Sequence, residues 1–333
     1  MILAGDVGGS KTALALFDDQ LRPVREEVFP SQEHASLEMV LENFLRQPAP
    51  ALVGACFAAA GPLDAGVVET TNVPWRIETR SLSRLLGSIP VWLINDLQAT
   101  ALGILTLPDS SFALLQPGRP PAGRSTIAVI APGTGLGEAV LIADRGGHRA
   151  LPSEGGHADF APGTDVEIEL WRLLRERHGG HVSYERVLSG DGIGDLYDFS
   201  RARIGEPEPA WLAREMAAGD RNAAISRAAL DRKDAACVDA LDLFAAVLGA
   251  EAGNLALRTL AVGGVVIGGG IAPHIVPLLQ AGGLIERFNR KGRFAEWNRK
   301  VTVRVTLDPR AALFGAAAHA RARLEERDDP HSR

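Results

Sequence analysis

The stretch MILAGDVGGSKTALALFDD, residues 1–19, holds two short apolar runs separated by a glycine-rich turn. Residues 2–7 and 12–18 are predicted as strands of a hairpin, with Gly8, Gly9 and Ser10 in the turn. Glycine has no Cβ, so it adopts left-handed backbone conformations and lets main-chain amides approach an anion. We therefore expect an anion-binding loop here, different from a Walker loop, whose turn opens a helix.

The same arrangement occurs twice more along the chain. An apolar run at 127–131 ends in the turn Pro132-Gly133-Thr134-Gly135-Leu-Gly137, and a run at 263–267 ends in Gly268-Gly269-Gly270. Each turn alone is a weak signal, because tight turns and close backbone contacts also select glycine. Three such turns in one chain favour a nucleotide held from two lobes.

Between these turns, apolar strands alternate with segments of helical spacing, which is typical of an α/β protein. A chain of 333 residues is also long enough for two lobes. Residues 107–124 are rich in Pro, Gly and Ser and are the best candidate for a linker. We predict further strands at 52–60, 91–94, 262–267 and 301–306, and helices at 37–45, 82–86, 97–105, 165–177, 209–218, 220–232, 234–258 and 311–323.

Composition and charge exclude several classes of function. The formal charge is −6 and the pI is about 5.8, whereas nucleic-acid-binding proteins usually present a basic face. No apolar stretch of membrane-spanning length and no targeting segment is evident, so we expect a cytoplasmic protein without a membrane partner. Cys56 lies in an apolar run and is predicted as a core residue, and two isolated cysteines indicate neither a disulfide framework nor a zinc site.

Asp6 is a carboxylate at the end of a predicted buried strand, beside the first glycine turn. Mg²⁺ prefers oxygen ligands, so Asp6 is a candidate magnesium ligand, either directly or through water. Asp also stabilises turns, which remains the alternative. Ser10 and Thr12 offer hydroxyls and Lys11 a positive charge to phosphates.

Asn95 and Asp96 follow the apolar run Val91–Ile94, at the end of a strand where open α/β sheets bind their ligands. Asp96 could accept a proton from a hydroxyl nucleophile. It could also cap the following helix, and the two roles are compatible.

A third polar cluster surrounds Glu154, Gly155, Gly156 and His157, and we interpret it as hydrogen-bonding groups for a polyol. Incidental polar loop residues are the alternative. Glu185 is harder to judge alone, since a solvated helical glutamate paired with Arg186 would fit equally well.

Taken together, the motifs resemble those of the bacterial ATP-dependent glucokinases of the actin-like sugar-kinase superfamily. They run in the order of that family and cover nearly the whole chain. The matching segments are Gly5–Thr12, Ala60–Pro62, Ile94–Asp96, Ala131–Gly137, Glu154–Pro162, Glu185–Gly190, Gly268–Pro273, Lys291–Phe294 and Leu313–Ala317.

The resemblance implies a two-lobed actin-like (ribonuclease H-like) α/β fold with an interlobe cleft. The smaller lobe would comprise residues 1–108 and 308–333, with the C-terminal helix packed back on it, and the larger lobe residues 109–307. The implied reaction moves the ATP γ-phosphoryl group to O6 of D-glucose with Mg²⁺, as the first step of glycolysis. Family members are commonly homodimers.

The resemblance also implies roles by position. Asp96 would be the base for the sugar 6-hydroxyl, with Asn95, Glu154, His157 and Glu185 on the other hydroxyls. Asp6 would act on Mg²⁺. The phosphates and adenosine would be met by Gly8, Gly9, Ser10, Lys11, Thr12, Gly133, Thr134, Gly268, Gly269 and Gly270.

Two other functions stay open at this stage. One is a related kinase for another hexose or an N-acetylhexosamine, and the other is a sugar sensor that binds without turnover.

The chain departs from the family pattern at two points. Ser10 stands where the family usually has Thr, which keeps the hydroxyl. The cysteine-rich zinc motif of the related repressor and kinase group is absent, since no cysteine occurs between Cys56 and Cys237.

Overall fold

The computed structural model describes residues 1–47, 51–70, 73–144 and 147–328. The chain divides into two compact units. Unit 1 comprises Met1–Asp109, Arg149–Pro152 and Asp308–Arg333, and unit 2 comprises Ser110–His148 and Ser153–Leu307. Both contain sheets and helices, so the α/β prediction is confirmed.

Unit 1 is built on a five-stranded sheet of order β3-β2-β1-β4-β8 and also contains a small sheet of order β5-β6-β7. The predicted hairpin is confirmed, because β1 and β2 pair antiparallel, while β1, β4 and β8 run parallel. Its elements are β1 Ile2–Val7, β2 Lys11–Phe17, β3 Pro23–Pro30, α1 Leu37–Leu45, β4 Gly54–Ala59, β5 Leu63–Asp64, β6 Val67–Glu69, β7 Arg76–Glu78, α2 Thr79–Leu85, β8 Val91–Asn95, α3 Asp96–Gly103 and, from the far end of the chain, α12 Ala311–Asp328.

Helices cover both faces of this sheet because β1 and β4 are apolar on both sides. The apolar stripe of α1, which includes Leu41 and Phe44, packs with Leu3 and Phe57 on one face. On the other face the alanine-rich side of α12 packs with Ile2, Cys56 and Ile94. The buried thiol of Cys56 is a core group, as predicted.

Unit 2 is built on a six-stranded sheet of order β12-β11-β10-β13-β14-β9. The 25-residue helix α8 runs through its largest apolar cluster. The elements of this sheet and the helices of the unit are β9 Phe112–Gln116, β10 Ile127–Pro132, β11 Leu136–Asp144, β12 Gly147–Ser153 (of which Arg149–Pro152 is assigned to unit 1), α4 Asp165–Arg177, α5 Gly190–Ile204, α6 Ala210–Ala218, α7 Arg221–Leu230, α8 Ala235–Thr259, β13 Gly264–Ile267, α9 Val276–Gln280, α10 Gly283–Asn289, α11 Ala295–Asn298 and β14 Val303–Thr306.

Two local predictions are corrected by unit 2. Residues 107–124 are not simply a linker, because Phe112–Gln116 forms β9, an edge strand paired with β14. The helix α5 was not predicted at all, since its first turns carry Gly190, Gly192 and Gly194, which disfavour a helix. Buried packing of its later residues, such as Leu196 and Tyr197, stabilises the helix despite them.

Candidate functional site

Asp6 and Asp96 come together at one edge of the unit 1 sheet. Asp6 lies near the carboxyl end of β1, and Asp96 directly follows β8. Because β1, β4 and β8 run parallel, their carboxyl ends lie at the same edge of the sheet. Burial, followed by the negative charge of Asp96, raises the pKa of Asp6 to about 6, while Lys11 opposes this shift. Two interacting carboxylates at this edge would attract a cation.

The first glycine loop is closed by its own backbone. The Gly8 N–H donates to the Lys11 carbonyl at 3.0 Å, and a Cβ on Gly8 would lie 2.9 Å from that oxygen. Gly9 is partly exposed, and the side chains of Ser10 and Lys11 are exposed. This loop therefore exposes one hydroxyl and one positively charged side chain, both of which can interact with an anion.

Thr12 differs from its sequence-based prediction as a phosphate contact. It is fully buried, and its hydroxyl lies 2.9 Å from the Ser31 hydroxyl. Ser31 Oγ also donates to the Gly8 carbonyl at 2.7 Å, and its N–H donates to the Ser10 carbonyl. Thr12 and Ser31 thus brace the loop from inside. Sequence reasoning missed Ser31 because it belongs to no motif and reaches the loop only through the β2–β3 pairing.

Asn95 and Asp96 form the start of α3. Asn95 is the N-cap, and its Oδ1 accepts from the N–H groups of Leu97 and Gln98 at 2.9 and 3.2 Å. Asp96 is therefore the first helical residue, and its Oδ1 also accepts from the Leu97 N–H at 2.9 Å. The helix start holds the Asp96 carboxylate in a defined position at the sheet edge.

Three of the predicted sugar-binding residues, Glu154, His157 and Glu185, lie together in unit 2. The ring of His157 contacts Glu154 at 3.8 Å through Nε2 and Glu185 at 3.7 Å through Nδ1. Glu185 lies in a 3-10 turn, Tyr184–Arg186, and its Oε2 accepts from the Leu136 N–H at 2.9 Å. Its carboxylate is thus anchored to the second glycine loop, which argues against the solvated helical pair with Arg186.

The second and third glycine turns are also neighbours in unit 2. They follow β10 and β13, which pair in parallel up to Ile130 and Ile267. A Cβ on Gly133 would lie 3.8 Å from the Gly270 nitrogen, and one on Gly269 would collide with the Pro132 carbonyl at 2.2 Å. Thr134 and Gly270 are exposed and Gly268 is buried.

Within the described ranges, no group of three or more His, Cys, Asp or Glu side chains is arranged to hold a metal ion by itself. No helix in those ranges is both long and apolar enough to cross a membrane.

A family model described as Glucokinase matches residues 3–323. A glucokinase of Nostoc punctiforme is 39% identical over 334 residues, covering 95% of this chain and 98% of the relative. The solved glucokinase of an Antarctic psychrotroph superposes with a TM-score of 0.83 at 34% identity, covering 96% of this chain and 98% of the other. A ROK family glucokinase from Streptomyces griseus, solved with glucose and AMPPNP, has a TM-score of 0.67 at 23% identity over 96% and 99%.

The last of these likenesses, at 23% identity, concerns the fold alone. The fold is the actin-like α/β fold of the sugar kinases, which the glucokinase structure at 34% identity shares over 96% of this chain. The family match extends over nearly every residue that carries a motif, from Asp6 to the C-terminal helix. By its sequence and its fold, the chain belongs to the glucokinase family.

Proposed function

We propose that the protein transfers the γ-phosphoryl group of ATP to O6 of D-glucose, giving glucose 6-phosphate and ADP, and that this reaction opens glycolysis in the cell. Membership of the glucokinase family supports the reaction class. The observation that carries the proposal is the Asp96 carboxylate, held by the start of α3 beside Asp6 and the first glycine loop.

Asp96 is the proposed base. A carboxylate accepts the proton of the 6-hydroxyl as that oxygen attacks phosphorus, and the bond from phosphorus to the ADP oxygen breaks. Phosphoryl transfer depends mainly on alignment and charge stabilisation, so a carboxylate in a fixed position suffices. The bond from the Leu97 N–H to Asp96 Oδ1 supports such a fixed position.

The other sugar hydroxyls are assigned to Asn95, Glu154, His157 and Glu185. The amide oxygen of Asn95 is used in the helix cap, so its NH₂ group is the part that can donate to a hydroxyl. The three unit 2 residues provide two carboxylate acceptors, each within 4 Å of a ring nitrogen of His157. Hydrogen bonds to each hydroxyl discriminate well between epimers, because a wrong epimer leaves polar groups unpaired.

The phosphates of ATP are assigned to the exposed parts of the two loops, namely Gly8, Gly9, Ser10 and Lys11 in unit 1 and Gly133 and Thr134 in unit 2. Gly268, Gly269 and Gly270 are assigned to adenosine. Thr12 contributes by bracing the first loop through Ser31.

Mg²⁺ is assigned to Asp6, through water. Mg²⁺ usually keeps several waters and binds through one or two carboxylates together with substrate phosphates, so a complete protein cage is not needed. The raised pKa of Asp6 beside Asp96 fits this role, since a bound cation would relieve the repulsion between the two carboxylates. When bound, the ion would neutralise charge on the transferring phosphoryl group.

We also propose that the protein acts in the cytoplasm as a homodimer, with domains at 1–108 plus 308–333 and at 109–307. Sedimentation of the purified protein would decide between monomer and dimer.

The deciding experiment measures ADP release from Mg·ATP with glucose, mannose, fructose, galactose and N-acetylglucosamine, with and without EDTA. Glucose should give the highest kcat/KM, and EDTA should abolish turnover. Higher activity with another hexose would favour the related-kinase alternative. Glucose binding without ADP release would favour the sensor.

A further inference from the structure

Two buried carboxyl groups in unit 2 have no role in the proposed reaction. Glu138 on β11 is 1% exposed, and Glu251 on α8 is completely buried. Both carboxyl groups approach the same nitrogen of Arg258, which places them close together. Charged groups are rarely buried unless they are paired, so the burial of these two acidic side chains requires an explanation.

One positive charge, that of Arg258, lies against both buried acids, and the repulsion between the two acids favours a proton on one of them. Arg258 on α8 forms an ion pair with Glu251 Oε1 and lies 3.9 Å from Glu138 Oε2. Among the described residues Glu138 Oε1 is buried with no hydrogen-bond partner, which a neutral carboxyl tolerates better than a carboxylate. Burial, followed by the charge of Glu251, raises the pKa of Glu138 to about 8.

The Glu138 carboxyl lies directly beneath the Gly155–His157 turn, the 3-10 turn that carries His157. A Cβ on Gly155 would lie 2.1 Å from Glu138 Oε2, so the carboxyl touches the backbone of the turn. Ser153 Oγ donates to the Glu138 carbonyl at 3.2 Å and accepts from the Gly155 N–H at 3.2 Å. Glu138 therefore supports the turn in two ways: its side chain contacts Gly155, and its carbonyl binds Ser153, which in turn binds the Gly155 N–H.

The Glu251 side of the pair leads to the other sugar segment. Asn254 Nδ2 donates to Glu251 Oε2 at 2.9 Å and to the Tyr184 hydroxyl at 3.1 Å. Tyr184 immediately precedes Glu185 in the same 3-10 turn. One network thus underlies both segments of unit 2 that carry proposed glucose residues.

We propose that Glu138 and Glu251 form a proton-sharing carboxyl pair that positions the Gly155–His157 turn for glucose, so that Glu138 is a positioning residue for sugar affinity. The inference rests on the proposed function, because it concerns the same sugar site. Loss of the shared proton places an unbalanced negative charge under the turn and weakens glucose binding.

Other titratable groups lie near the pair, and their effects on the pH dependence of glucose binding must be distinguished from those of the pair. Arg258 on α8 and Tyr184 are in direct contact with the network, and His157 of the turn lies 3.7 Å from Glu185. Lys291 donates to the Asn254 side-chain oxygen at 2.6 Å, and burial lowers its pKa to about 8. A change in glucose affinity near pH 8 can therefore be assigned to the carboxyl pair only by comparison with a variant at position 138.

The test compares wild type with Glu138→Gln and Glu138→Ala. The glucose Kd is measured calorimetrically without nucleotide from pH 6.5 to 9.5, and KM and kcat are measured in the ADP-release assay.

For the wild type we expect the glucose Kd to rise above about pH 8. Gln keeps the shape and a donor without a titrating proton, so its Kd should stay near the wild-type value at pH 7 and remain flat to high pH. Ala should raise Kd and KM roughly 10- to 100-fold, because it removes the contact beneath the turn and leaves the buried polar groups around it unpaired, with a smaller change in kcat.

Glu167→Gln is the matched control, because Glu167 is also buried but pairs with Arg287 and the Gly163 N–H instead of the turn. It should lower Tm and leave the pH profile of glucose binding unchanged.

A rise in Kd that persists in Glu138→Gln, or a flat wild-type profile, would overturn the proposal, and the Gln variant decides even if the Ala variant does not fold. Glucose binding with the expected pH profile but without ADP release would sink the catalytic assignment alone, whereas absence of glucose binding in the wild type would overturn both.

Discussion

At the scale of single residues, Asp96 carries the chemistry of the proposal. Asp96→Asn keeps the helix-start geometry, since an amide oxygen can still accept from the Leu97 N–H. It loses the base, so kcat should fall at least ~100-fold while glucose binding is retained. Asp165→Asn is the matched control, because Asp165 is also the first residue of a helix, α4, and is exposed. Equal turnover of Asp96→Asn and wild type would show that Asp96 is not the base.

His157 and Glu185 should act on sugar affinity and not on the phosphoryl group. His157→Ala and Glu185→Ala each remove one side of a contact at 3.7 Å, and Glu185→Ala also frees the Leu136 N–H. Each should raise the glucose KM by roughly tenfold or more, since a lost hydrogen bond to a charged group costs about 1.5–3 kcal/mol, with the ATP KM little changed. His148→Ala, which removes a half-buried histidine bonded to the Ser125 carbonyl, is the control. Unchanged sugar affinity in both variants would refute the assignment.

At the scale of elements, α3 and α12 pack unusually closely. A Cβ on Gly103 would lie 1.7 Å from the Ala311 carbonyl, and one on Gly315 would lie 1.8 Å from the Ala99 carbonyl. Gly315→Ala must therefore push the helices apart, and overpacking of this kind costs typically 1–3 kcal/mol, occasionally more. Because α3 begins at Asp96, we also expect a lower kcat.

Gly283→Ala is the matched control for that contact, since a Cβ on Gly283, the first residue of α10, meets no atom within 4 Å. In urea unfolding and in kcat, Gly315→Ala should fall below the wild type, whereas Gly283→Ala should remain close to it. If Gly315→Ala unfolds and turns over like wild type, the close packing of α3 on α12 does not position Asp96.

At the scale of the whole molecule, binding of the correct sugar should stabilise the native protein. At a glucose concentration 100 times the Kd, the stabilisation is about 2.7 kcal/mol, which should raise Tm by a few degrees. L-Glucose is the matched control, because it has the same composition and polarity but the opposite arrangement of hydroxyls. Equal shifts with the two enantiomers in a thermal melt would contradict a site built from individual hydrogen bonds.

The three glycine turns and the carboxylate after Val91–Ile94 could be predicted from the sequence, because each depends on a few adjacent residues. A glycine turn needs positive φ or close backbone approach, and a strand end needs an apolar run followed by polar residues. The same local logic failed for α5, whose glycines disfavour a helix that tertiary packing nevertheless stabilises.

The sequence by itself determined the α/β class, most of the strands and helices, and the glycine turns and polar residues that are candidates for chemistry, because these follow from local conformational preference and apolar periodicity. Only the tertiary structure decided that Thr12 turns inward to Ser31, that Glu185 is anchored to the Leu136 N–H, and that Glu138 meets Glu251 beneath Gly155. These contacts join residues far apart in the chain, and burial and hydrogen bonding between such residues exist only once the sheets and helices have packed.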